Sequence, residues 1–509
     1  MTCRKSETRR TREPATVGQR AALAALFAAT VAAHAQLPPP QPPPQAASGA
    51  VRSYSFNAAQ ERLAATNSGL TAARAGLDAS RSSADAVAGL NLPILSIDAQ
   101  YFRYQKTIEI SLAAGRNLVA QAINGFLASS PIGQAVAPII SGPVNNALGQ
   151  IPDSVSGTIN DNIWRPTLTL LWPIYTGGMS SATQDAAQAQ TRQAEAELTA
   201  FGDTLSLQLV AAYFGQQLAA QVVATSQQNL DRFQTHYDNA LKMERQGMLA
   251  KAQRLQMEVA RNAAERQLLR ASNEYETAQA VLARLLQEGG NIQPVTPLFA
   301  QSQPLEPVQA FIDSGRANSP ALARLAALRD VSRSGVKAAQ SLALPKVYGF
   351  GSYNFNSKNA VLPDPDWIVG VGLHYTLFSN VDRKSAEGAA RAREQQASAA
   401  MDQAGSDIET LIVRSYQNVE TSRRQFMLLG PNIASAEENV RVHALGFREG
   451  QANATELIDA QVALSVAHTQ RAAAAYEYDL ALAQLLAASG RMDDFPQHVA
   501  RADQRMSAP

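Results

Sequence analysis

Few side chains in this sequence are spaced to make or break bonds. His34, His236, His374, His443, His468 and His498 show no metal-ligand spacing, which argues against a metal-dependent catalyst, because a bound ion needs several donors at defined intervals. The one cysteine is Cys3, so the rest of the chain has neither disulfide nor thiol chemistry. Gly349-x-Gly351 and Gly370-x-Gly372 sit inside alternating runs and lack the helix that a phosphate loop must open, so they read as strand glycines. No enzyme activity, metal or cofactor is expected. The chemistry that remains is electrostatic and conformational. Glu456 and Asp459 lie three residues apart, so on a helix both carboxylates can face one side; as helix-start acids they would simply complement the helix dipole. Shortly before them comes Arg448-x-Gly450, which matches an earlier Arg245-x-Gly247. Glycine at such positions admits the positive φ of a helix stop, where the chain reverses.

These residues belong to an internal duplication. Arg245 to Ala260 is echoed by Arg448 to Ala463, and an offset of 203 also pairs Tyr213 with Tyr416, Tyr275 with Tyr478 and Leu282 with Leu485. The same offset aligns Leu171–Gly178 with His374–Val381 as a strand end entering a helix. Upstream, Leu90–Tyr104 resembles Leu342–Asn356 at an offset of 252, so the first copy carries an insertion of 49 residues between its two strands. Each copy reads helix, strand, strand, very long helix, tight turn, helix. Leu198, Phe201, Leu205, Leu209 and Ala212 recur at spacings of three and four, as do Ile408, Leu411, Ile412, Ser415 and Val419, giving each long helix one apolar stripe. The proline-free run Ser180–Glu244 would span ~98 Å at 1.5 Å per residue. Gly430-Pro431 is expected to kink or break its counterpart. Shorter helices over 55–90 and 251–287 stack end to end against the long ones, giving an elongated shaft instead of the three compact domains that 509 residues would ordinarily imply.

Residues 1–35 read as a secretory signal: six basic residues precede an apolar stretch from Ala21 to Ala33, followed by the small-x-small site Ala33-His34-Ala35. That stretch falls short of the ~20 apolar residues of a bilayer span. Its removal takes six basic and two acidic groups and leaves 38 and 41, a formal charge of −3. A chain of that balance offers no basic surface for nucleic acid. Residues 36–54 form a Pro-rich tether, and no later run is long and apolar enough for a transmembrane helix. An exported chain of this kind is either soluble or crosses a membrane by strands.

The strands alternate. Ile94, Ser96, Asp98 and Gln100 point one way, and Leu95, Ile97, Ala99 and Tyr101 the other. Strands are expected at about 93–107 and 163–175 in a first repeat of 55–287, and at about 345–356 and 366–378 in a second repeat of 319–490. Trp164, Trp172, Tyr175, Trp367, Tyr375 and Phe378 lie at or beyond the strand ends, as the aromatic girdle of a membrane barrel requires. Alternation alone fits a soluble sandwich equally; the signal and the shaft favour a barrel. Four strands cannot close one, since the smallest need about eight, so other copies must supply the rest: two copies give eight strands, three give twelve and room for a channel. Residues 108–162 are assigned as a loop inserted at the extracellular end, with an apolar plug or a surface helix as alternatives. Proline-rich 288–318 is an equatorial linker that, with the C-terminal tail 491–509, wraps the shaft.

Two copies of strand, turn, long helix, Arg-x-Gly and helix behind a secretory signal resemble the outer-membrane efflux protein family typified by TolC, over about Ser55 to Gly490. The resemblance implies a mainly α protein with a β-barrel part: a trimeric 12-stranded outer-membrane barrel continued by a long α-helical periplasmic barrel. It implies a homotrimer in outer-membrane lipid that works with a periplasmic adaptor (membrane fusion) protein and an inner-membrane pump of RND or ABC type. The function implied is the exit duct of a tripartite efflux or type I secretion system. In that family acidic residues just past the second turn ring the periplasmic gate, and the matching positions are Glu456 and Asp459. The tips around Arg245, Gly247, Arg448 and Gly450 would dock the adaptor. Gln253 and Gln256 replace the acids in the first copy, and Ala452 stands where some relatives carry a gate arginine. An exported helical stalk without transport activity is the reading from another class.

Overall fold

The computed structural model describes residues 52–356 and 365–506. The signal segment and residues 36–51 lie outside them. In chain order the elements are β1 (Arg52–Tyr54), α1 (Phe56–Thr66), α2 (Ser68–Ala88), β2 (Ile94–Ser111), α3 (Ala113–Ser129), α4 (Pro131–Gly149) and β3 (Ser154–Tyr175). There follow α5 (Met179–Arg245), α6 (Lys251–Leu285), β4 (Ile292–Pro294), β5 (Phe299–Ala300), α7 (Val308–Asn318), α8 (Pro320–Ser341), β6 (Lys346–Asn354) and β7 (Trp367–His374). The chain ends with α9 (Arg383–Arg448), α10 (Ala454–Ala488), a short 3-10 turn (Met492–Asp494), α11 (Phe495–Arg501) and β8 (Gln504–Arg505).

Two helices of 67 and 66 residues, α5 and α9, form the backbone of the molecule. Short helices pack along them, α2 and α6 on α5, while α8 and α10 each pack against both α5 and α9. The apolar stripes supply the glue: Leu205, Leu209, Val210 and Tyr213 on α5, and Ile412, Val419 and Phe426 on α9, are buried. Pro431 lies inside α9, which continues through it; of the expected kink or break, the break does not occur. The residue before it is glycine, which has no Cβ to clash with the proline ring, and the Met427 carbonyl that loses its donor is on an exposed stretch. The helix expected over 55–90 is instead two. Asn67 caps α1 at one end and opens α2 at the other, its Oδ1 accepting the Leu70 amide at 2.9 Å, a role asparagine fills better than it fills a helix interior. No helix among the described residues is long and apolar enough to cross a membrane.

The four long strands form one antiparallel sheet in the order β2-β3-β6-β7. The inserted segment is not a simple loop. Strands β2 and β3 run on in unbroken register from Ile94↔Leu171 to Ser111↔Ser154, and the helices α3 and α4 form a hairpin on the far end. Among the described residues only β2 and β3 are extended this way; β6 and β7 are nine and eight residues long. The sheet therefore carries a two-stranded ribbon projecting beyond its own edge.

The main core sits at mid-shaft, where Phe56, Phe214, Phe299 and Phe495 pack ring against ring around Tyr213. The Tyr213 hydroxyl donates to the Tyr54 carbonyl at 2.7 Å and accepts the amides of Val295 and Thr296. Around this core β1 pairs in parallel with β4 and β5 pairs with β8. Arg52–Tyr54 thus belong to the fold and not to the tether. The described part of the C-terminal tail, 491–506, is tied into the core: Met492 and Phe495 are buried, and β8 holds the linker strand β5. Its apolar residues are too few and too close to the terminus to show a period, so only the packing reveals them.

Candidate gate at the helical tips

At the end of the molecule away from the sheet, α5 turns into α6 and α9 into α10. Both reversals use one hydrogen-bond pattern, displaced by the 203-residue repeat. Gly247 donates to the Glu244 carbonyl and Met248 to Met243; Gly450 donates to Phe447 and Gln451 to Gly446. These are the paired bonds of a Schellman stop, which needs a left-handed residue between them, and the φ angles are +75° at Gly247 and +71° at Gly450. Arg245 and Arg448 are the last residues of their helices and are exposed, where a cation complements the C-terminal partial charge.

The second reversal opens on Asn453, whose Oδ1 accepts the Glu456 amide at 3.0 Å, so Glu456 is part of the N-terminal cap of α10. Its carboxylate lies 3.8 Å from His443 Nδ1. Asp459 is exposed one turn on and makes no ion pair among the described residues. Between and beside them Leu457 and Ala460 turn inward. The two acids thus sit on the open flank of a helix start, with His443 beside Glu456 and no ion pair to Asp459 among the described residues.

Two features here are not evident from the aligned repeat. The first is an ion-pair clasp in the first tip: Arg254 Nε meets Glu244 Oε2 at 2.8 Å and its Nη1 meets Glu258. At the 203 offset the positions of Glu244 and Arg254 are Phe447 and Leu457, which are buried against each other's cluster. One tip is clasped by charge and the other by apolar contact. The i,i+4 spacing of Arg254 and Glu258 was the available sequence signal; the reach of Arg254 back across the turn to Glu244 was not. The second is that Ala240, Met257, Phe447, Ala454 and Leu457 form one apolar cluster, with Tyr237 and Ile458 at its margin, so the two hairpins close on each other. Nearby His236 is pushed below its ordinary pKa by burial and by the charges of Arg232 and Arg448.

At the other end, the register puts Trp164 and Trp172 on one face of the sheet with Pro166, Leu168 and Leu170 between them; Ile97, Tyr353 and Trp367 share that face. Trp172 Nε1 donates to the Asn91 carbonyl at 3.1 Å. Tyr175 lies past a bulge, and Tyr375 and Phe378 follow the end of β7, all three exposed. The opposite face carries Ser96, Asp98, Gln100, Arg165, Thr167, Thr169, Ser352 and Asn354, a concave polar surface. The glycines of the Gly-x-Gly pairs are strand residues: rings of Tyr348 and Phe350 lie where Cβ atoms at Gly372 and Gly370 would stand.

The pattern of the outer membrane efflux protein family matches residues 144–288 and 311–491, most of both repeats. The chain belongs to that family. Its fold is TolC-like, and its place is the outer membrane with the helical part in the periplasm. CyaE of Bordetella pertussis (strain Tohama I) is 24% identical over 267 residues, covering 50% of this chain and 56% of that protein. TolC of Vibrio cholerae serotype O1 is 27% identical over 211 residues, 39% of this chain and 47% of the relative. The chain thus spans about half the length of the curated relatives it matches. Among solved structures, the outer membrane protein VceC of Vibrio cholerae superposes with a TM-score of 0.65 at 15% identity, over 86% of this chain and 96% of that one. Family and structural neighbours are channels, not enzymes.

Proposed function

We propose that this member of the outer membrane efflux protein family is an exit duct: three copies close a twelve-stranded barrel and continue it through the periplasm as a helical tunnel. The observation that carries this is the sheet. It has one apolar and one polar face, and among the described residues both of its outer strands, β2 and β7, have a strand partner on one side only. Unpaired edges invite strands of another copy. Trp164 and Trp172, eight residues apart on one face, are separated by about 26 Å at ~3.3 Å per residue, which fits the ~25 Å apolar band of an outer-membrane barrel. With Tyr175, Trp367, Tyr375 and Phe378 they form the girdle.

At the other end the duct is gated by its tips. Glu456 and Asp459 from three copies ring the mouth and attract cations. The reversals at Arg245, Gly247, Arg448 and Gly450 dock a periplasmic adaptor, which couples the duct to an inner-membrane pump of RND or ABC type for efflux or type I secretion. A helical stalk without transport would leave the apolar band unused. The mass of the purified protein in detergent should equal three chains, and the protein should conduct ions in planar bilayers. A stable monomer, soluble without detergent, would overturn the reading.

A further inference from the structure

The β2–β3 ribbon changes character along its length. Up to Tyr101↔Trp164 its outward face is apolar and the other face, with Ser96, Asp98 and Gln100, is polar. Beyond that level the outward face becomes polar, with Arg103, Gln105, Thr107 and Glu109 on β2, and Ser154 Oγ donates to Glu109 at 2.7 Å. In the last pairs the other face becomes apolar: Ile108 and Ile110 lie opposite Gly157 and Val155, and the three apolar side chains are exposed. The faces have exchanged roles. A ribbon beside lipid would keep its outward face apolar; this one presents apolar side chains only toward the side that is the polar lumen lower down.

The hairpin on top continues that pattern. From Ala113 to Pro152 the only charged residue is Arg116, which is spent on holding the hairpin to the ribbon through Asp153 at 2.5 Å and the Ile151 carbonyl at 3.0 Å. Leu118, Val119, Phe126, Ile139 and Ile140 are exposed, Ile139 by 73%. Lipid is not in reach. The register runs unbroken for ten pairs beyond Trp164, which lifts the hairpin by about 34 Å at ~3.4 Å per residue. A two-stranded ribbon is marginal unless something packs on it. In a closed assembly each copy presents the same face toward the symmetry axis, so the apolar surface at that height is the hairpins and ribbons of the other copies.

We propose that these elements meet on the axis and form an apolar cap over the extracellular end of the duct, a second closure distinct from the tips. The occupant of each exposed hairpin face is another copy of this chain. The inference rests on the trimeric duct reading; the one charge of each hairpin, Arg116, is paired with Asp153, so contact of three hairpins meets little charge repulsion. As the cap is held by apolar packing, cargo leaving the duct must part it.

The test uses the full-length protein with Cys3→Ser. Single Phe126→Cys or Ile139→Cys should be joined between chains by a short flexible bismaleimide in purified trimers. On intact cells, Gln100→Cys on the polar face of the sheet should react slowly with an impermeant, bulky maleimide. Its labelling should speed up severalfold when Leu118, Phe126 and Ile139 are changed to Gln. Hairpin cysteines that accept a monofunctional maleimide yet stay unlinked in material of trimeric mass overturn the cap and leave the duct standing. Equal labelling of Gln100→Cys with and without the Gln changes does the same. A monomeric mass in detergent overturns the duct reading, and the cap with it.

Discussion

Glu456 and Asp459 should matter less to stability than to conduction. Glu456 is a cap residue and Asp459 a free acid, and helix-end acids of this kind contribute only ~0.3–1 kcal/mol each. Changing them to Gln and Asn should therefore leave assembly intact while lowering cation selectivity and weakening block by divalent cations in planar bilayers. Unchanged selectivity and block would return both acids to capping alone. A second acid responds to pH. Asp203 on α5 has its pKa raised from 3.8 to about 6, first by burial and then by the charge of Asp493. The folded protein thus holds this proton more tightly than the unfolded chain. The resulting contribution is full below pH 3.8 and is lost as pH rises to about 6. Asp203→Asn should flatten that part of the stability profile, and melting temperatures at about pH 4 and about pH 7 should differ less in the variant than in the parent.

Among the elements, the helix stops distinguish conformation from crowding. The stop after α10 repeats the tip pattern, with Gly490 at φ +66° and Arg491 donating to Leu486. Its counterpart at the 203 offset is Gln287, which adopts the left-handed region at φ +54° at a cost of ~1–2 kcal/mol. A Cβ at Gly490 would also stand 2.5 Å from the Asn318 carbonyl oxygen, whereas at Gly450 nothing lies within 4 Å. Gly450→Ala should cost the conformational ~1–2 kcal/mol and Gly490→Ala clearly more, as measured by thermal unfolding. Equal losses would mean that α7 yields freely at Asn318. Gly450→Pro goes further: it removes the amide that bonds Phe447 and should abolish adaptor binding in a pull-down.

For the whole molecule, the mid-shaft core joins parts far apart in sequence. Phe495 lies in the C-terminal segment, touches Phe56, Phe214 and Phe299, and is 1% exposed. Phe495→Ala should destabilise the shaft by about 3–5 kcal/mol, far beyond what an ordinary exposed terminus would show, and truncation after Gly490 should be at least as damaging. Denaturation of the purified protein measures both. A truncated chain that unfolds like the parent would show that the ring cluster holds without its C-terminal member.

The features that repeat are legible from the amino-acid order alone. Apolar stripes at helical spacing, two-residue alternation in the strands and Arg-x-Gly at an offset of 203 residues each depend on local periodicity, which a single chain displays in full. That order also places Glu456 and Asp459 one turn apart, since helical geometry follows from spacing alone. Contacts between segments remote in sequence emerge only in the folded chain. Asn67 splits one helix because its side chain can cap; Pro431 does not break another, where glycine precedes it and Met427, one turn back, is exposed. The Arg254 clasp depends on Glu244 across the turn, and the burial of Phe495 depends on rings from three other segments. The length of the β2–β3 ribbon was hidden because its faces exchange polarity partway along, which erases the alternation that marks a strand with one wet side; only the pairing of Ser111 with Ser154, a contact across the insertion, carries it to its end.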